Sequence, residues 1–151
     1  MTIVRVLRRR RPAGTRGQAL VEFSLALIPF LLILMGIADL GRGIYMSNGV
    51  NEAAREIART TAVHLCDTPC TVGNSAETTS TVNTQKNLVP GLASPSSSIT
   101  YQCIYVNDDA ANCTSGNYIK VTVSVPYSAL TPLLSMVAPT TLTASAHIEI
   151  P

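Results

Sequence analysis

A chain of 151 residues, 46% of them hydrophobic and 13% charged, has room for one modest globular domain and one special segment. Its net charge of +2 describes neither end. Residues 1–17 hold Arg5, Arg8, Arg9, Arg10, Arg11 and Arg16 and no acid, whereas from residue 61 onward Lys86 and Lys120 stand against Asp67, Glu77, Asp108, Asp109 and Glu149.

The leader, residues 1–17, also carries Pro12 and Gly14 and reads as unstructured. Alone, so basic a stretch would suggest a nucleic-acid-binding arm. Placed directly before an apolar run it reads as a topology determinant instead, and no nucleic-acid partner is expected. Residues 19–38 are that run, interrupted mainly by Glu22, Ser24 and Pro29. As a helix rising about 1.5 Å per residue, it spans roughly the 30 Å hydrocarbon core of a bilayer. Arginines crowd its N-terminal flank, while residues 39–42 are balanced. The positive-inside rule therefore puts the N-terminus in the cytoplasm and everything beyond about residue 42 outside, as in a single-pass protein of the inner or cytoplasmic membrane.

The helix is predicted to begin near Gln18 and to continue past the membrane, because Leu40, Ile44, Val50, Ala54, Ile57 and Ala58 extend an apolar stripe at helical spacing. Asn51, Glu52, Arg55, Glu56 and Arg59 occupy the other face. Attractive pairs three apart and repulsive pairs four apart offset one another there, so this face is simply solvated. An end near Val63 gives a rod of about 46 residues and roughly 69 Å. Pro29 removes a backbone donor inside the run, which predicts a kink or local melting, with neighbouring helices covering the freed carbonyl. Gly43 with Ser47, and Ala54 with Ala58, offer small surfaces for close helix contact. Gly41-Arg42-Gly43 lacks the strand and third glycine of a dinucleotide site.

Beyond the helix, residues 66–98 are rich in Thr, Ser, Asn, Gly and Pro and read as a loop and surface excursion, with a short helix around residues 79–88. Residues 98–106 alternate as a strand, 107–117 carry turn residues, and 118–125 alternate again, which is a hairpin pattern. Pro126 ends that strand, residues 130–137 suggest a helical turn, and 142–150 read as a third strand. The fold class expected is α+β: a long N-terminal membrane-spanning stalk helix packed on a small antiparallel sheet. The division expected is a basic cytoplasmic leader at 1–17, a transmembrane and stalk helix at 18–63, and a disulfide-bonded extracytoplasmic β domain at 64–151.

Cys66, Cys70, Cys103 and Cys113 all lie in the exported part, where oxidation is permitted. Of three pairings, Cys66 with Cys70 and Cys103 with Cys113 keep partners within one local loop or hairpin, and the second would staple the hairpin. The rival is a zinc site using His64, Cys66, Cys70 and a distant cysteine, but its spacing matches usual zinc motifs poorly. No metal and no cofactor are expected. His64 and His147 sit apart from any nucleophile motif, so the chain is not expected to be an enzyme.

The most informative string is Arg16-Gly17-Gln18-Ala19-Leu20-Val21-Glu22-Phe23. A secretory signal is cut after its apolar region at a small-x-small site. Here the cut falls before the apolar run, between Gly17 and Gln18, and the helix stays on the mature protein. An ionised Glu22 inside hydrocarbon costs several kcal/mol unless paired. Its partner would be the new α-amino group of Gln18, on the same or an adjacent chain. The alternative is a Glu close enough to the interface to reach the headgroups alone.

These residues, with Pro29, Gly36-Ile37-Ala38-Asp39-Leu40-Gly41-Arg42, Tyr45 and the amphipathic stretch from Asn51 through Ala53-Ala54-Arg55 to Arg59, resemble the TadE-like family, minor pilins or pseudopilins of Tad (Flp) pilus systems. The resemblance covers residues 16 to about 60 closely. Weaker likeness extends to Val121-Thr122-Val123-Ser124-Val125-Pro126-Tyr127 and Leu142-Thr143-Ala144-Ser145-Ala146. It implies a pilin-like fold, cleavage by an aspartate-type prepilin peptidase, membrane residence until assembly, and a role in pilus biogenesis, adhesion to surfaces or related secretion. It also implies partners: the peptidase, other pilins and the Tad assembly machinery, with the pilus or cell surface as a destination. By position, Gly17 and Gln18 flank the cut, and Glu22 with Phe23 serve recognition and assembly. The four-cysteine pattern is a departure from the family. The competing reading is a membrane-anchored extracytoplasmic binding module that never assembles.

Overall fold

The structure, a computed structural model, describes residues 15–66, 71–131, 135 and 138–151. The arginines at positions 5 and 8–11 and Cys70 lie outside the described residues, as does most of the segment 130–137 expected as a helical turn. Within that segment Ser135 N–H donates to the Thr131 carbonyl at 3.0 Å, a helix-type bond.

Helix α1 runs from Thr15 to Val63, 49 residues, so it begins three residues before the expected start and already includes Gly17 and Gln18. It is unbroken at Pro29. The helix therefore does not melt there, although Pro29 still cannot donate to the carbonyl of Leu25 one turn back. Helix α2, Ala76–Leu88, starts three residues before the expected short helix because Ser75 caps it, its hydroxyl accepting from Thr78 N–H at 3.1 Å. Strands β1 (Ser98–Ile104), β2 (Tyr118–Pro126) and β3 (Thr141–Glu149) form one antiparallel sheet in the order β1-β2-β3. The architecture is α+β, a long N-terminal apolar helix against a small three-stranded sheet.

Alternation decides which side of the sheet is buried. Ile119, Val121, Val123 and Val125 on the central strand point inward and are fully buried, in register with Cys103, Tyr101 and Ile99 on one side and Ile148, Ala146, Ala144 and Leu142 on the other. A slip of one residue would turn every one of them to solvent. The outward face is polar and partly self-satisfied, with Thr122 and Ser145 hydroxyls 2.9 Å apart and Ser124 and Thr143 3.0 Å apart.

The second half of α1 covers the buried face. Met46, Val50, Ala53, Ala54, Ile57, Ala58 and Ala62 recur at three- and four-residue spacing and are buried. This corrects the expectation that Ala54 and Ala58 face another helix: their small size lets α1 lie close to β3, whose own inward residues include Ala144 and Ala146. Two further approaches need glycine. Gly91, at φ +84°, would place a Cβ 2.7 Å from Val125 Cγ1, and Gly73, at φ +86°, would drive one into the Tyr101 ring.

Cys103 and Cys113 are joined, with Cα atoms 5.2 Å apart. The bridge closes the excursion between β1 and β2, where Asp108 takes φ +65° and accepts from Lys120 Nζ at 3.1 Å. Cys66 is also disulfide-bonded; its expected pairing with Cys70 involves a residue that is not described.

Candidate functional site

Along the first half of α1 the apolar side chains have nothing to pack on among the described residues. Leu20, Val21, Phe23, Leu25, Ile28, Phe30, Ile33, Met35 and Ile37 are all exposed, Leu25 by 73%. The helix is long and apolar enough to cross a membrane, and none of its most apolar window is buried within the chain. Near its start Gln18 Nε2 donates to Glu22 Oε1 at 3.1 Å, one turn apart. Gln18 and Glu22 thus share a face, Phe23 is exposed beside them, and the Ser24 hydroxyl folds back on the Leu20 carbonyl at 2.8 Å.

A polar cluster follows immediately beyond the apolar run. Asp39 is buried, and its carboxylate accepts four hydrogen bonds from the segment after β2. Leu130 N–H donates at 3.1 and 3.0 Å to the two oxygens, Thr131 N–H at 2.8 Å and the Thr131 hydroxyl at 2.7 Å. The Thr131 hydroxyl, followed by the Thr131 and Leu130 amides, holds the carboxyl below its ordinary value of 3.8, and the Arg42 charge adds in the same direction. One helical turn on, Arg42 donates to the Ser128 carbonyl and lies 5.3 Å from the centre of the Tyr127 ring. Arg42 Nε is buried without a hydrogen-bond partner among the described residues. The Tyr127 hydroxyl donates to the Asp39 carbonyl at 3.1 Å.

Tyr127 reaches that carbonyl by lying over Gly43, where a Cβ would stand 3.2 Å from the phenol oxygen. Gly43 therefore serves contact with Tyr127 of its own chain, a correction to its expected use against another helix. Beside the cluster is a groove of about 350 Å³ whose lining includes Leu40, Ile44, Tyr127, Ala129 and Leu142.

Asp39, Arg42, Tyr127 and Thr131 were not expected as site residues. In the sequence Asp39 and Arg42 look like a charge-balanced flank, and the signal was available only in combination. A lone acid ends an apolar run, and ninety residues later a stretch without charge leaves backbone amides to be satisfied after Pro126.

The family model described as TadE-like protein matches residues 17–59, a stretch that includes Gly17, Glu22, Pro29, Asp39, Arg42 and Gly43. Neither curated proteins nor solved structures give a match. The likeness carried by the motifs is thereby shown for α1: over residues 17–59 the chain matches the TadE-like family model.

Proposed function

We propose that the chain is a minor pilin or pseudopilin of a Tad-type pilus system, with a structural rather than catalytic role. One observation carries the reading: the segment that matches the TadE-like family includes the apolar half of α1, whose side chains the other described residues leave exposed. Lipid covers them before assembly and neighbouring pilin helices cover them afterward. Residues 1–17 are the leader, 18–63 the transmembrane and stalk helix, and 64–151 the outer domain. The arginine-rich leader keeps the N-terminus in the cytoplasm. A disulfide between Cys103 and Cys113 suits the oxidising side of the membrane.

Cleavage by a prepilin peptidase between Gly17 and Gln18 leaves Gln18 as the first residue, four positions before Glu22. Glu22 then has two donors at hand, the Gln18 side chain that already reaches it and the new α-amine. In a packed assembly the α-amine of one subunit and the carboxylate of the next fix axial register, with Phe23 packing alongside. The Leu25 carbonyl, left without a donor by Pro29, gives a neighbouring helix a place to bond or the helix a place to bend.

The test is Glu22→Ala in cells with an active pilus system. Cleavage should continue, while co-purification with other pilin subunits from sheared filaments or membrane complexes should fall sharply. Normal incorporation of the variant would contradict the pairing role.

A further inference from the structure

The connection between β2 and β3 has an unusual composition. Residues 127–140 contain no Asp, Glu, Lys, Arg or His. A connection in a small domain has no obvious reason to avoid charge throughout, and the start of this one is tied to α1. Leu130 and Thr131 are bound to Asp39 by both amides and one hydroxyl. Asp39 directly follows Ala38, the last residue of the apolar run. Wherever a bilayer takes residues 19–38, its outer hydrocarbon boundary falls within about one residue's rise, 1.5 Å, of Asp39. The headgroup layer beyond that boundary is roughly 5–8 Å deep.

The base of the outer domain thus cannot stand clear of the membrane surface. What it presents there is apolar: Leu130 is 74% exposed, and the groove beside it opens between Leu40 and Ile44 on the helix and Tyr127, Ala129 and Leu142 on the domain. Leu40 and Ile44 are themselves exposed and continue the stripe of the span. Beside this surface stands Arg42, over the Tyr127 ring, a residue type found near the ends of membrane helices.

We propose that the base of the outer domain, Leu130 with the adjoining groove, is a second membrane contact that rests in the outer headgroup layer and takes lipid against its apolar surface. Asp39 is the strut that holds it at that depth, so the domain is seated on the bilayer rather than swinging above it. The inference rests on the reading of residues 19–38 as the span.

The experiment uses the full chain in phosphatidylcholine–phosphatidylglycerol vesicles, native disulfides intact, with one added cysteine carrying an environment-sensitive fluorophore. Leu130→Cys is the probe. Ile33→Cys reports the span, and Val106→Cys reports the loop at the far end of the sheet, where the native side chain is 85% exposed. At position 130 the label should show blue-shifted emission, loss of intensity with nitroxide lipids labelled near the headgroup, and protection from iodide. Position 33 should be quenched by nitroxides deep in the acyl chains, and position 106 by iodide. Iodide quenching at 130 equal to that at 106, with 33 still in lipid, would overturn the proposal. So would protection at 130 from both iodide and shallow nitroxides, the result expected if a second copy of the chain covers the groove. An aqueous signal at 33 would instead overturn the span itself, and the proposal with it.

Discussion

Asp39 draws one carboxylate, two backbone amides and a hydroxyl into a junction between residues more than ninety apart in the chain. A buried carboxylate with matched donors is stabilising where the same group without them would be costly. Asp39→Ala should therefore free residues 127–131, seen as lost hydrogen-exchange protection at the Leu130 and Thr131 amides while Val121 and Val123 stay protected. Acid should do the same. The hydrogen bonds, that of the Thr131 hydroxyl foremost, depress the folded-state value below 3.8. The contribution of the ionised group is thus complete above about 3.8 and is lost as pH falls through the lower folded-state value. Protection factors at Leu130 and Thr131 should drop in that window for the native chain and show no such step in Asp39→Ala. Gly43→Val adds bulk where Tyr127 crosses the helix and should loosen the same junction without touching Asp39. The junction was not legible from either side alone, because a hydrogen-bonded acid and a solvated one have the same letter in a sequence and the donors lie in another element.

At the scale of elements, periodicity located all three strands to within two residues and the end of α1 at Val63. Two starts fell earlier than expected. Helix α1 reaches back through Gly17 to Thr15, and α2 begins after Ser75, whose capping hydroxyl outweighs the weak helix preference of the threonines that follow. The apolar stripe of α1 was legible as a stripe, but its partner was not. Alanines at four-residue spacing suit a helix or a sheet equally, and the small inward residues of β3 decide for the sheet. Truncation on this face should be expensive. Ile57→Ala, at a fully buried position, should lower stability by about 2–5 kcal/mol in denaturant unfolding of the detergent-solubilised chain, whereas Glu52→Ala on the exposed face should stay within roughly 0.5 kcal/mol. Replacing Cys103 and Cys113 together by serine opens a ten-residue loop and should cost about 2–3 kcal/mol on the chain-entropy estimate. The strand register, held by the Ile119 to Val125 alternation, should survive that change.

For the molecule as a whole, one helix divides into two environments. Its first half carries exposed apolar residues suited to lipid or other helices, and its second half packs into the core against the sheet. The Asp39 junction lies where the two meet, so tilting the first half of the helix would carry the sheet domain with it. That coupling is what a subunit needs if packing of its membrane helix is to set the position of its exposed domain. Hydropathy made the first half legible as a long apolar helix, and the TadE-like match over residues 17–59 supports the pilin reading most strongly there. The sheet's architecture could be read from alternation and turn residues, while its polar solvent-facing side gives no comparable pointer to a partner. The central claim is that the leader is removed and the apolar helix retained. Intact-mass and N-terminal peptide mass spectrometry of the chain from cells with an active prepilin peptidase tests it most directly. A mature protein beginning at Gln18 is the predicted result, and a chain that keeps residues 1–17 in those cells would contradict the account.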